Sequence, residues 1–400
     1  MKNKVCAIIC EYNPMHTGHI HQINEIKKLL GNDIYIVSLI SGNFSQRANP
    51  CILNKYDRTA IALNNGIDMV VGLPTLYTIQ SAEIFAYSSV KILNQMKVDY
   101  LCFGMETPNQ NLLYTLAKFL VEEPICYKEI LKAELKKGND YNSSVKKAIL
   151  KNYDNFKEFS QEEIINMFTY PNNILALEYV KALIKTNSKI KPLLIKRANN
   201  YNNKNIVENY VSSSALRNAK NILDYKEFLP ANSLHYFNAL KLNLEKYQNY
   251  LFFNLKMNNI NKNNANSYLH NRINNLLSNE YDANNFYNNV KTKCFKQSFI
   301  DSYCLNAMLG IQKERIKKIY TIKTNIIIKV LGIKRDKQDI LRYICCKNLI
   351  LRKNDASKIK PNSYNGFIQI TENKANILYN ISSENSQLCE NDYFTKLLVI

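Results

Sequence analysis

No apolar run in the 400 residues approaches the ~20 that a membrane-spanning helix requires. The phosphate-cradling pattern GxxxxGK[ST] is absent as well, so any phosphate binding has to be built on something else. The 10 cysteines form no CxxC pair and no cysteine–histidine cluster with zinc spacing. Cys6 and Cys10 fall in an apolar run expected to be buried, and Cys345 and Cys346 are adjacent, a pair that rarely bridges itself. Reduced structural thiols follow. No internal repeat stands out, and no carboxylate cluster marks a metal site. A signal peptide over MKNKVCAIIC (1–10) would delete the most informative stretch, so a cytoplasmic protein is expected.

What is present begins with charge. Fifty-three basic residues against 33 acidic ones leave a net charge of +20. One reading is a polyanionic partner, whose phosphates release counterions to lysine and arginine. The other is compositional: a chain rich in Asn, Lys, Ile and Tyr reflects AT-rich coding, which raises lysine unaided. Hydrophobic residues make up 46% of the chain, enough for an ordinary core. The length suits two domains at ~100–200 residues each.

The first hundred residues alternate strand and helix signals. VCAIIC (5–10), IYIVSLI (34–40), DMVVGLP (68–74) and YLCFG (100–104) read as strands. Between them lie a helix ending at Gly31, a helix from Lys55 to Asn65 closed by Gly66, and a helix over 81–96 with Ser81 as N-cap. Such alternation predicts an α/β fold with a doubly wound parallel, Rossmann-like sheet. Ligands of such sheets bind outside the carboxyl ends of the strands. The loops there, EYNPMHTGH (11–19), SGNFSQRANP (41–50), PTLYTIQ (74–80) and GMETP (104–108), hold the polar and glycine-containing stretches.

From about 110 the pattern turns helical, with loops at 136–144 and 196–205 and an amphipathic helix over 170–185 opened by Pro171. PLLIK (192–196) reads as one more strand, and VSSSALRNAK (211–220) as a helix start whose serines suit capping or anion binding. Beyond 230, helices are interrupted by asparagine-rich stretches at 256–267 and 279–289, and strands are expected at 323–331 and 366–371. The division expected is a catalytic domain over 1–225 and a mainly α-helical C-terminal region over 226–400.

The chemistry concentrates at His16 and His19, which straddle Gly18 at a helix start behind the first strand. Side chains three apart on a helix share a face, and a helix N-terminus offers free N–H groups with partial positive charge. Two imidazoles aimed at one place can stabilise charge developing on a phosphate. The alternative is that one histidine caps the helix while the other is merely on the surface.

HxGH at this location is the signature of the nucleotidylyltransferase superfamily. CEYNPMHTGH (10–19), SGNFSQRANPCILNKYDRTAIALNNGIDMVVGLP (41–74), FGME (103–106), PNNILALEYVKAL (171–183), IKR (195–197) and SSSALR (212–217) together resemble the tRNA(Met) cytidine acetate ligase family. LGIKRDKQDIL (331–341) looks like that family's C-terminal part. The resemblance implies that acetate attacks the α-phosphate of ATP, giving acetyl-adenylate and pyrophosphate. The acetyl group would then pass to the exocyclic amine of the wobble cytidine of elongator tRNA(Met), forming N4-acetylcytidine. A cytidine in a single-stranded loop is reachable without opening a duplex.

The resemblance further implies that Ile9, Cys10, Glu11, Tyr12, Asn13, Pro14, Met15, His16, Thr17, Gly18, His19, Ile20, His21 and Gln22 wrap ATP, with His16 and His19 catalytic on its phosphates. Gly104, Asn173 (or its neighbour Asn172) and Arg197 would complete the nucleotide site. Ser213, Ser214 and Arg217 resemble the superfamily's second phosphate-binding element, and Arg47, Lys55 and Arg58 are expected to contact phosphate or RNA. Magnesium is expected to accompany ATP, with no protein ligands marked. The family loop usually reads QRGEP, where this chain has Gln46-Arg47-Ala48-Asn49-Pro50. Two other functions share HxGH: a nucleotidylyltransferase making a small adenylylated cofactor, which leaves the basic second half and SGNFSQR unexplained, and a non-catalytic RNA-binding protein.

Overall fold

The computed structural model describes residues 4–197, 211–238, 242–258, 267–292, 295–344, 346, 348–383 and 392–400. Most of the loops expected at 196–205 and 256–267 fall outside them. Strands β1 (Val5–Cys10), β2 (Tyr35–Ser41), β3 (Met69–Leu73), β4 (Tyr100–Met105) and β5 (Lys191–Lys196) run parallel in the order β5-β4-β1-β2-β3. The chain winds outward from β1 through β2 to β3 and then returns to place β4 on the other side of β1. That reversal opens a crevice between β1 and β4, where an open α/β sheet receives its ligand.

These strands read as near-continuous apolar runs because both faces are covered. Val5, Ala7, Val37, Leu39, Met69 and Val71 join one apolar cluster; Cys6, Ile8, Ile36, Ile40 and Val70 join another on the opposite face. Helix α1 (Thr17–Leu30) follows β1 and ends at Gly31, whose φ of 92° is a conformation glycine adopts without strain. Helix α2 (Lys55–Asn64) follows β2, capped by Asn54, and Ser81 caps the helix Ala82–Met96.

The C-terminal half returns to the same sheet. Strand β6 (Ile328–Ile333) pairs antiparallel with β3, and β7 (Leu349–Ile350) and β8 (Leu398–Val399) both pair with β6. The sheet therefore crosses the expected division near residue 225. Three local expectations need correcting. Residues 366–371 are not a strand but part of the helix Tyr364–Ser382, which buries Ile368, Ala375, Leu378 and Tyr379 at helical spacing. The stretch 279–289 is not all loop, because Asp282 caps a helix Ala283–Val290 that buries Ala283, Phe286 and Val290. Likewise, a helix begins at Tyr141 inside the expected loop 136–144, capped by Asp140. At 279–289 and 136–144 the cap and the buried apolar residues outweigh the loop-prone asparagines and serines around them, and at 366–371 the buried residues follow the helical period rather than that of a strand.

Candidate functional site

A cleft of about 310 Å³ lies at the carboxyl ends of the strands, lined from the ends of β1, β4 and β5, from the loop after β2 and from the start of the serine helix Ser213–Asn218. Eight residues of the 9–22 segment line it: Ile9, Cys10, Glu11, Tyr12, Asn13, His16, His19 and Gln22. The last three follow the i, i+3 spacing that puts one face of α1 toward the opening. Pro14, Met15, Thr17, Gly18, Ile20 and His21 are not part of this lining; Met15 belongs to the apolar cluster and Ile20 packs against it.

Hydrogen bonds between neighbours in the chain set the two imidazoles. His16 is the N-cap of α1, and its Nδ1 accepts from the Gly18 amide at 3.1 Å. The Nδ1 of His19 in turn accepts from the His16 amide at 3.2 Å. This is the reciprocal capping arrangement, made with imidazoles in place of hydroxyl and carboxylate. Since each Nδ1 accepts from a backbone amide, each neutral ring carries its proton on Nε2. Burial, with Arg197 and Arg217 nearby, pushes the His16 pKa down to about 3. Burial, His16 and Arg197 hold His19 well below its ordinary value. The rings lie 4.0 Å apart between centroids and present two uncharged N–H donors. A Cβ on Gly18 would come within 2.9 Å of His16 Cε1, so only glycine leaves room for the capping ring. One imidazole does cap the helix, as the alternative reading held, yet both line the cleft.

Around them stand cations and hydroxyls. Arg197, Arg217, Ser213, Ser214 and the exposed Arg47 all line the cleft. Arg217 Nη1 also donates to the Asn13 carbonyl at 2.6 Å, tying the serine helix to the first loop. Gly104 lines the cleft beneath the Arg197 side chain, whose Cγ would sit 2.9 Å from any added Cβ. The missing side chain at 104 thus admits the arginine stem across β4.

Three expected contacts are placed elsewhere. Lys55 is buried, its Nζ 2.7 Å from Asp392 and 3.6 Å from Glu372, so its charge is spent inside the protein rather than on phosphate or RNA. Arg58 is buried too: it donates to the carbonyls of Leu53 at 3.0 Å, Glu11 at 2.5 Å and Ser41 at 3.2 Å, and to that of Gly42. It holds together the loops after β1 and β2. Asn173 is fully buried, accepting from the Glu106 amide at 3.0 Å and donating to the Asn166 carbonyl at 3.1 Å. Its neighbour Asn172 is the one that lines the cleft.

The lining also includes residues that motif reading missed. Ser45 and Gln46 lie within SGNFSQR and Phe103 just precedes Gly104, so their neighbours were signal enough. Ala82, Phe85, Leu175 and Tyr179 carry no such mark, because helical apolar spacing reads as core. Glu11 is the only carboxylate among the described lining residues, and its Oε1 accepts from the Gln46 amide at 2.8 Å. That donor set does not fit a protein-held metal ion, which prefers several oxygens converging on one point.

Comparison with known proteins agrees with this geometry. The family model described as HIGH Nucleotidyl Transferase matches residues 3–392. The chain is 32% identical, over 99% of its length and 98% of the relative's, to the tRNA(Met) cytidine acetate ligase of Clostridium botulinum (strain Loch Maree, type A3). It is 35% identical to the enzyme of that name from Clostridium novyi (strain NT), with 86% of this chain and 88% of that one covered. Crystal structures of Thermotoga maritima TmcAL superpose with TM-scores of 0.88 for the apo form and 0.86 for the form bound with alpha-thio ATP. Sequence identity is 25% and 26% respectively, and the superpositions cover 99% of this chain and 100% of those chains.

Proposed function

We propose a function from the premise that this chain belongs to the tRNA(Met) cytidine acetate ligase family, within the HIGH nucleotidyl transferases. The protein is an ATP-binding ligase that modifies tRNA. Acetate attacks the α-phosphate of ATP, acetyl-adenylate forms, and pyrophosphate leaves. The acetyl group then passes to the exocyclic amine of the wobble cytidine of elongator tRNA(Met).

The observation that carries this reading is the pair of neutral imidazoles, each fixed by a backbone amide so that an Nε2–H is free to donate. Such donors need no reorganisation as charge builds on a phosphate, and in a water-poor cleft they act more strongly than in bulk. Arg197, Arg217, Ser213 and Ser214 supply further donors for phosphate oxygens. Magnesium enters, on this reading, as the counter-ion of the triphosphate rather than as a resident of the protein, and no step is assigned to it. The net charge of +20 suits a tRNA partner. No helix among the described residues is long and apolar enough to cross a membrane. A cytoplasmic location is part of this reading and follows from its tRNA substrate.

The test supplies labelled acetate, ATP and total tRNA, with tRNA left out of a control. Label recovered as N4-acetylcytidine in elongator tRNA(Met) is the expected result. A small adenylylated product without RNA labelling, or no ATP consumption in any mixture, overturns the reading.

A further inference from the structure

The cleft lining is of two kinds. Its donors gather together, Arg197 and Arg217 standing close enough to His16 to depress its basicity. Its apolar members, Phe85, Phe103, Leu175 and the ring of Tyr179, belong to the opposite face of the sheet and come from β4 and the helices Ala82–Met96 and Pro171–Lys185. The Phe103 and Tyr179 rings pack with centroids 5.6 Å apart.

Within this apolar corner there is one polar group, and nothing satisfies it. Tyr179 lines the cleft and is 2% exposed, and its buried hydroxyl has no hydrogen-bond partner. Buried hydroxyls are nearly always paired, because leaving water without a new partner is unfavourable. The groups that bear on it electrostatically are the Cys10 thiol and the Glu11 carboxylate, both in the lining. Glu11 Oε1 is already engaged by the Gln46 amide. An orphaned donor at the wall of a ligand cleft is completed when a ligand brings an acceptor.

We propose that Tyr179 binds the acetate: its Oη–H donates to one carboxylate oxygen, while Phe85, Phe103 and Leu175 enclose the methyl group. This rests on the acetate-activating reading above. A purine would bring several ring nitrogens and an amine needing partners, whereas this corner offers one donor and apolar walls, which matches a small carboxylate. The second carboxylate oxygen is left unheld and attacks the α-phosphorus. A P–O bond forms there, the bond from the α-phosphorus to the bridging oxygen breaks, and pyrophosphate leaves with that electron pair. No proton changes hands. Burial, with Cys10 and Glu11 adding to it, holds the phenol well above its ordinary pKa, so it remains a protonated donor throughout.

The experiment compares wild type and Tyr179→Phe in acetate-dependent exchange of labelled pyrophosphate into ATP, alongside binding of a non-hydrolysable ATP analogue. Losing a hydrogen bond to a charged group predicts a KM for acetate raised ~10- to 100-fold, with analogue affinity unchanged and melting temperature equal or raised, since an unpaired buried hydroxyl is removed. An unchanged acetate KM, or weakened analogue binding without an acetate effect, overturns the assignment while leaving the ligase reading intact. Absence of acetate-dependent exchange in the wild type sinks both.

Discussion

The two loops adjoin at the cleft, joined by the Gln46 amide to Glu11 and by Arg58, but their other supports come from different places. In the first, 11–19, the imidazoles are oriented by amides within residues 16–18 and by their own helix. In the second, 41–50, the supports come from the far end of the chain. Asn43 Nδ2 donates to Asn376 Oδ1 at 2.9 Å, the Tyr247 hydroxyl to the Ala48 carbonyl at 3.2 Å, and the Tyr379 hydroxyl to the carbonyl of Cys51, just past the loop, at 2.8 Å. Phe44 packs against the rings of both tyrosines. The histidine turn is thus a local device, whereas the second loop depends on a C-terminal region wrapped back onto the first sheet. What that teaches is that the helical C-terminal region shapes the cleft as well as enlarging the basic surface.

The strongest blow to the second loop is at Lys55. It lies one turn beyond the loop, at the start of α2, and its amide donates to Asn43 Oδ1 at 2.9 Å. Its Nζ joins Asp392 and Glu372, and Glu372 also accepts from the Thr75 amide. Burial first, with Asp392 adding to it, raises the Glu372 pKa, and Lys55 opposes this. Lys55→Met strips the cation and leaves two buried carboxylates to repel each other. A loss of about 3–5 kcal/mol in urea-derived stability is expected. A loss below about 1 kcal/mol would show that the C-terminal region is not fastened to the loop through this lysine.

The first loop breaks differently, chiefly in rate, with the lost cap at His16 adding only about 1 kcal/mol of destabilisation. His16→Ala and His19→Ala are each expected to lower adenylate formation ~100- to 1000-fold, the cost of one transition-state donor, while tRNA affinity survives. The pH profile sharpens this. A histidine depressed to about 3 stays neutral in the fold throughout the working range, so the rate shows no acidic limb near the ordinary imidazole value. The unfolded chain does take up protons below that ordinary value. The histidine contribution to stability is therefore complete above pH ~6.5 and is lost as the pH falls from there toward the folded value. A His16 or His19 resonance titrating between pH 6 and 7 in the folded enzyme would contradict the capping geometry.

The same contrast explains what could be read in advance. Strand alternation, the capped helices and the HxGH turn are local patterns, so β1 to β5 and the placing of His16 and His19 were open to inspection of the sequence. Lys55 and Arg58 were misplaced because a basic residue near a ligand loop is ordinarily solvated, and nothing nearby announces Glu372 or Asp392 more than 300 positions away. The shift from Asn173 to Asn172 is a matter of helical phase at an N-terminus, which spacing alone does not fix. Tyr179 lies on an apolar helical stripe and reads as core until the cleft beside it is seen. The departure at Ala48 is likewise settled only in three dimensions. Its φ of 60° is the left-handed conformation a glycine would supply, kept here with a fully buried methyl group and a carbonyl held by Tyr247.

That carbonyl gives the mildest way to loosen the second loop alone. Tyr247 is buried, its ring packs on Phe44 at 6.0 Å, and from the helix Leu244–Met257 its hydroxyl donates to the Ala48 carbonyl. Tyr247→Phe keeps the ring and removes only the donor, leaving a buried carbonyl unpaired at a cost of about 1 kcal/mol. Because Gln46 and Arg47 stand two and one residues before Ala48 and line the cleft, the loosening reaches the substrates. A few-fold fall in kcat/KM is expected with the imidazole resonances of His16 and His19 unmoved, since their hydrogen bonds lie wholly in the other loop. If those resonances shifted together with the rate, the two loops would be one coupled unit, and the division between local and long-range support would have to be given up.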